Sequence, residues 1–364
     1  MATITTAQSE YYRRPADERF ESPAALLAFS AQRKTASREI AYNLKDLAIV
    51  PAGTDAGTIR LQSPKGAADF TPWSHAQFCR MVGAPAAYVR TLPADIASAA
   101  LNHGIKNTAP GTTAQLLAQR TDSGAVTLRA ATSESYGRLW DADLYHPIVR
   151  TLCESGWSLP PTWDGKPAGA YASDRDSFLI LANGGSIVND PSTRGGNGQM
   201  YRALLVRNSE VGAAAVTITR ILYQWICGNH CLWGAVIDQN FRRRHVGSRV
   251  LYDVTREIGR TAREWTNRAA STDEALIKSL IDLEIAHTED AVIDELMKIG
   301  ATRTDAEAAY KRCTTQFDAS PRSFWGMAQG LTALSQDAGW QDERLSLDQL
   351  AARLLAKGRA RVAA

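Results

Sequence analysis

Hydrophobic and polar positions alternate most clearly from Arg202 to Val206, and this pattern predicts a strand running into the polar turn Asn208-Ser209-Glu210-Val211-Gly212. The run AAAVTITRILYQWIC follows. Thr217, Ile218 and Thr219 place a strand near residues 213–219, whereas Ile221, Leu222, Trp225 and Ile226 favour a helix, and the run after 219 stays open between the two. Upstream, EIAYNLKDLAIVPAGTDAGTIRL (39–61) reads as strand, Gly-rich turn and strand, and Leu116 to Ala131 reads as a hairpin around Thr-Asp-Ser-Gly. Thr71 to Gly83 predicts a capped helix, with Phe78, Met81 and Val82 inward, and Pro85 and Pro93 open the next helical stretches. Leu144, Ile148, Val149 and Leu152 predict a helix over 141–155. Further strands fall at 168–173 and 177–181, and Asn183 to Gln199 reads as an exposed loop.

After residue 240 the period becomes helical. Leu251, Val254, Ile258 and Trp265 form one face, residues 271–299 a second helical section, and Thr302 caps a third; 324–334 and 345–355 complete the series. The expected fold class is α+β: a mostly antiparallel sheet with inserted helices and a helical C-terminal region. Three parts are expected. Residues 1–37, where Leu26, Leu27 and Phe29 suggest a short helix, form a mobile or partner-docked arm, residues 38–240 an α+β core domain, and residues 241–364 a basic helix followed by a helical region.

Composition changes this picture little. The chain of 364 residues is 45% hydrophobic and 22% charged, with a formal net charge of +3, as expected for an ordinary globular protein. No run approaches the roughly 18 apolar residues of a membrane span, and no signal pattern opens the chain, so a cytoplasmic protein is expected. Five scattered cysteines suit reduced thiols rather than a disulfide framework. Local charge is more informative. Arg242, Arg243, Arg244 and Arg249, followed by Arg256, Arg260 and Arg263, make Asn240 to Arg268 the most basic segment, which reads either as a face that tracks phosphates or as a solvated helix partly neutralised by Asp253, Glu257 and Glu264.

Several short motifs occur in order: Gly83, Pro85 and Tyr88; Arg129, Ala130, Ser133 and Tyr136; Asn208, Ser209, Glu210 and Gly212; Cys227 and Asn229. In this order the chain, over roughly residues 70–355, resembles the phage and plasmid proteins grouped as domain of unknown function family 932. One position departs from the family pattern, His230 standing where a Gly is usual. The resemblance implies a mobile-element origin and carries no established activity or catalytic residues.

Three chemistries compete for the polar residues. Cys227, His230 and Cys231 are soft donors that suit zinc, but the second spaced pair of a structural site is missing, and Cys153, Cys313 or His146 would have to complete it; buried packing is the simpler reading. Asp174, Asp176, Glu210 and Asp238 are the carboxylates a magnesium-dependent nuclease would need, although Asp174 and Asp176 also suit a plain turn. No Walker-type phosphate loop occurs. The leading expectation is nucleic-acid binding without bond chemistry, with single-stranded DNA as the partner in binding or annealing. Arg207, Arg220, Arg242, Arg243, Arg244, Arg256, Arg260 and Arg263 would neutralise phosphates, and Tyr201 or Phe241 would stack on bases. No cofactor and no membrane partner are expected. A homo-oligomeric, partner-binding protein acting against host defence is the alternative from a different class.

Overall fold

A computed structural model describes residues 18–121, 123–160, 167, 169–189, 199–224, 232–233, 241–247, 249–337 and 341–362. In chain order the first elements are β1 (Arg19–Phe20), α1 (Pro23–Ala36), β2 (Ser37–Asn43), β3 (Ala48–Pro51), β4 (Ile59–Ser63) and β5 (Gly66–Phe70). Helices α2 (Pro72–Met81), α3 (Ala86–Val89) and α4 (Ala94–Asn107) lead to β6 (Thr113–Arg120), β7 (Val126–Thr132) and α5 (Asp141–Cys153). Then come β8 (Trp157–Ser158), β9 (Ala170–Ala172), β10 (Ser177–Asn189), β11 (Gln199–Asn208), β12 (Val216–Gln224), β13 (Leu232–Trp233) and β14 (Phe241–Arg243). Six helices close the chain: α6 (Val250–Asn267), α7 (Ala270–Asp282), α8 (Glu289–Lys298), α9 (Arg303–Gln316), α10 (Phe324–Asp337) and α11 (Gln341–Val362).

The fold is α+β, built on two sheets rather than one. The first has the order β2-β6-β7-β5-β4-β3; its pairs are antiparallel except β5 with β7, which the α2–α4 crossover makes parallel. Thr71 and Ser74 form a capping box that starts α2. Phe78, Leu101 and Ile105 from the helices then bury Ile49, Leu61, Leu116 and Leu128 of the sheet.

The second sheet runs β1-β9-β10-β11-β12-β13, with β8 also paired to β10 and β14 to β12. Its core is continuous with the C-terminal helices. Leu204, Val206, Val216, Ile218 and Leu222 meet Val254, Ile258, Trp265, Ile277 and Phe324 in one cluster, so residues after 240 complete the core begun before it.

Two segments differ from expectation for clear reasons. Residues 183–189, read as loop, extend β10, because Val188 is fully buried and pairs with Met200 across a bulge between Asn183 and Ile187. The predicted N-terminal arm contains a helix docked on its own chain. Ser22 caps α1 by accepting from the Ala25 amide, Pro23 opens it, and Leu26 is fully buried beside α5.

A buried ionic knot joins the two halves. Arg33 of α1 reaches the Asp141 carboxylate at 2.7 Å and that of Glu210 at 3.3 Å, while Arg129 of β7 donates to Glu210 at 2.7 Å. The balance of charge is two cations against two carboxylates. Asn208 and Ser177 each donate to Asp141 at 2.7 Å, and Glu210 accepts from the Asp141 amide at 3.0 Å, compensating the otherwise unpartnered N-terminus of α5. All four charged groups are at most 7% exposed, so the geometry has to repay a large desolvation cost. For Glu210, burial alone would raise the carboxyl pKa, but Arg33 and Arg129 outweigh it and hold the group below its ordinary value.

Candidate nucleic-acid interface

The basic segment begins on β14. Its register with β12 sets Phe241 opposite Ile218, Arg242 opposite Thr217 and Arg243 opposite Val216. Ile218 and Val216 lie in the core, so Phe241 and Arg243 share the helix-facing side and Arg242 takes the other. Phe241 is half-buried against that core, and Arg243 pairs with Asp253 of α6 at 3.2 Å. The three consecutive arginines therefore do not act as one patch.

The turn after β14 is pinned to the knot region. His245 is buried, stacks on Tyr136 with ring centroids 5.3 Å apart, and its carbonyl accepts from the Gly137 amide at 2.9 Å. Gly137 has to be glycine there, since a Cβ would lie 2.6 Å from the Gly247 carbonyl oxygen. Burial depresses the His245 pKa to about 4, with Arg138 adding to the effect, so the ring is neutral at physiological pH. A histidine depressed in the folded state contributes stability that is present above its unfolded pKa and lost as pH falls through the folded one. The contribution of His245 is therefore expected to fall by on the order of 3 kcal/mol between about pH 6.5 and pH 4, and the difference in stability between wild type and His245→Phe, followed by chemical denaturation over this range, should change by that amount. Asp141, pushed up to about 6 by burial and by Glu210, titrates with the opposite sign in this window, and both proteins share it.

Helix α6 is strongly amphipathic. Val250, Val254, Ile258, Ala262 and Trp265 are buried, and Trp265 lies under two guanidinium groups, Arg202 at 5.1 Å and Arg220 at 5.9 Å. Arg202 is itself buried and bonds Asp273 of α7 at 2.5 Å. The outer face carries Arg249, Tyr252, Arg256, Arg260 and Arg263, at the spacing of successive helical turns. Tyr252 is 59% exposed. The guanidinium groups of Arg249 and Arg256 lie 5.8 and 5.9 Å from its ring centroid.

The arginines expected to meet phosphate thus divide into two groups. Arg207 is half-buried and ion-paired with Asp176, Arg220 is buried and bonds Glu264 at 2.5 Å, and Arg260 is chelated by Glu257 and Glu264. These, like Arg243, are occupied by the protein's own carboxylates. Arg242, Arg244, Arg256 and Arg263 are exposed, and no carboxylate among the described residues forms an ion pair with them. Tyr201 is half-buried on the far face of the second sheet, against the cluster of Tyr171, Phe178 and Ile180, so neither it nor Phe241 stands free as a stacking platform. Sequence reasoning counted Arg249 in the basic segment without making it a contact and missed Tyr252, although their spacing from Arg256 already sets all three on one helix face.

Of the carboxylates considered for a metal, Asp174 is exposed, and Asp176 and Glu210 are used otherwise. Asp176 accepts from Arg207 and from Ser173, Glu210 belongs to the knot, and among the described residues no group of three or more His, Cys, Asp or Glu side chains is placed to hold a metal ion. Cys227, His230, Cys231 and Asp238 lie outside the described residues. Among the described residues no helix is long and apolar enough to cross a membrane. Comparison with protein-family models, curated proteins and solved structures finds no match to this chain.

Proposed function

We propose that the protein binds single-stranded nucleic acid along the outer face of α6 and carries out no bond chemistry there. The observation that carries this reading is Tyr252, an exposed ring on a rigid helix, flanked by Arg249 and Arg256. An exposed cation–π contact is weak, about 0.5–1 kcal/mol, so each arginine can leave the ring for a phosphate at small cost. The face from Arg249 to Arg263 extends about 21 Å, and the exposed Arg242 and Arg244 belong to the same basic segment. Phosphate neutralisation with counterion release would supply affinity, and base stacking on Tyr252 would favour unpaired strands. A mobile-element origin, which the resemblance to family 932 would imply, makes phage or plasmid DNA metabolism the setting of this reading.

Fluorescence-anisotropy titration of a labelled oligothymidylate tests the reading. Three phosphates neutralised by Arg249, Arg256 and Arg263 would give a slope of log K against log salt of about −2.1, with a duplex of equal length binding more weakly. Absence of binding at low salt, or binding insensitive to salt, contradicts it.

A further inference from the structure

The first sheet carries a second candidate site that the nucleic-acid reading does not use. One face of its strands is set by alternation: Arg38, Ile40 and Tyr42 on β2; Leu116, Ala118 and Arg120 on β6; Val126 and Leu128 on β7; Ala68 on β5; Leu61 on β4. Helices α2–α4 bury only part of this face. The remainder is a cavity of about 360 Å³, closed at one end by Thr35 and Ala36 at the end of α1.

Its chemistry is sharply divided. The floor is aliphatic, with Leu61, Leu116 and Leu128 each at most 3% exposed, and Tyr42 stands in the lining with a buried hydroxyl that has no hydrogen-bond partner among the described residues. The rim carries three exposed cations, Arg38, Lys65 and Arg120, and no carboxylate is among the residues lining the cavity. A cavity of this volume lies within the range of small-molecule sites, and an aliphatic floor under a ring of cations complements a ligand with an apolar body and a terminal anion.

We infer that this cavity binds a small amphiphilic anion, of the class of medium-chain fatty acids, with its tail on Leu61, Leu116 and Leu128 and its carboxylate at Arg120 and its neighbouring cations. Arginine suits that end of the ligand because its planar fork takes a carboxylate in two parallel hydrogen bonds. The tail supplies most of the affinity, each buried methylene adding about fourfold. The hydroxyl of Tyr42 is an unused donor in the lining.

Isothermal titration calorimetry of the full chain with decanoate, decanol and decyltrimethylammonium, all below their aggregation concentrations, tests the inference. Decanoate is expected to bind at least tenfold more tightly than decanol, and the cationic analogue not at all. Arg120→Glu should weaken decanoate at least tenfold with an unchanged melting temperature, since this side chain is exposed. Ala118→Phe, which fills the cavity, should abolish binding; Val126→Trp at the open end serves the same purpose should Ala118→Phe fail to fold. No binding of decanoate at millimolar concentration, equal binding of decanol, or unchanged binding by a folded cavity-filling variant would overturn the inference.

Discussion

Glu210→Ala is expected to destabilise the protein by about 3–5 kcal/mol, the cost of leaving a buried charge uncompensated. Glu210 is 2% exposed and holds Arg129 at 2.7 Å and Arg33 at 3.3 Å, so its removal leaves two buried guanidinium groups facing the single carboxylate of Asp141. The Asp141 amide at the start of α5 also loses its acceptor. Urea denaturation should show a lower midpoint with little change in slope, because the surface exposed on unfolding stays the same. A comparison within the same protein sharpens the test. Arg60 and Asp69 form a shorter contact, 2.5 Å, but both side chains are more than 40% exposed, and Asp69→Ala should leave the midpoint nearly unchanged. Equal effects of the two substitutions would show that burial does not set the value of the knot.

Tyr252→Ala is expected to weaken binding of an oligothymidylate about tenfold or more, since base stacking on an aromatic side chain contributes about 1–3 kcal/mol. Arg249→Ala combined with Arg256→Ala should act differently, reducing the magnitude of the salt slope by about 1.4 and weakening low-salt binding by one to two orders of magnitude. All three side chains are exposed, so the melting temperature should hold in each variant. Arg220→Ala separates surface from interior. Its guanidinium lies beside Trp265 and bonds Glu264, and its removal should lower stability more than it changes the salt slope. A salt slope unaltered by the double variant would move the phosphate contacts away from α6.

The elements of this fold were legible where local chemistry decides them. The β6–β7 hairpin follows from Thr-Asp-Ser-Gly, in which Gly124 adopts a φ of +83°, and α5 follows from Leu144, Ile148 and Leu152 at helical spacing. The division of residues 37–243 into two sheets was not legible, because alternation shows which side of a strand is buried and says nothing about its partner. Arg129, Tyr136, Asn208, Ser209 and Glu210 stood out as short motifs, yet their common purpose depends on contacts across more than seventy residues: Arg129 with Glu210, and the Tyr136 hydroxyl donating to the Ser209 carbonyl at 2.9 Å. Arg33 and Asp141 gave no signal of their own, since one lies in an unremarkable helix and the other resembles an ordinary acidic first turn.

The basic segment shows the same limit. The sequence offers Asp253, Glu257 and Glu264 as partial neutralisers of the basic helix, but not their partners, which are Arg243, Arg260 and Arg220. Folding leaves a smaller set available, of which Arg249 and Arg256 flank Tyr252 rather than the aromatics first expected to stack. Leu251, read as part of the buried face, is 36% exposed, while Val250 is buried.

Ultraviolet crosslinking of the protein to an oligothymidylate, followed by peptide mapping, tests the placement of the strand most directly. The adducts are predicted to fall within residues 249–263, centred on Tyr252, and to decline in the Tyr252→Ala variant. Adducts confined to other parts of the chain, and unchanged in that variant, would contradict the assignment of α6 as the nucleic-acid interface.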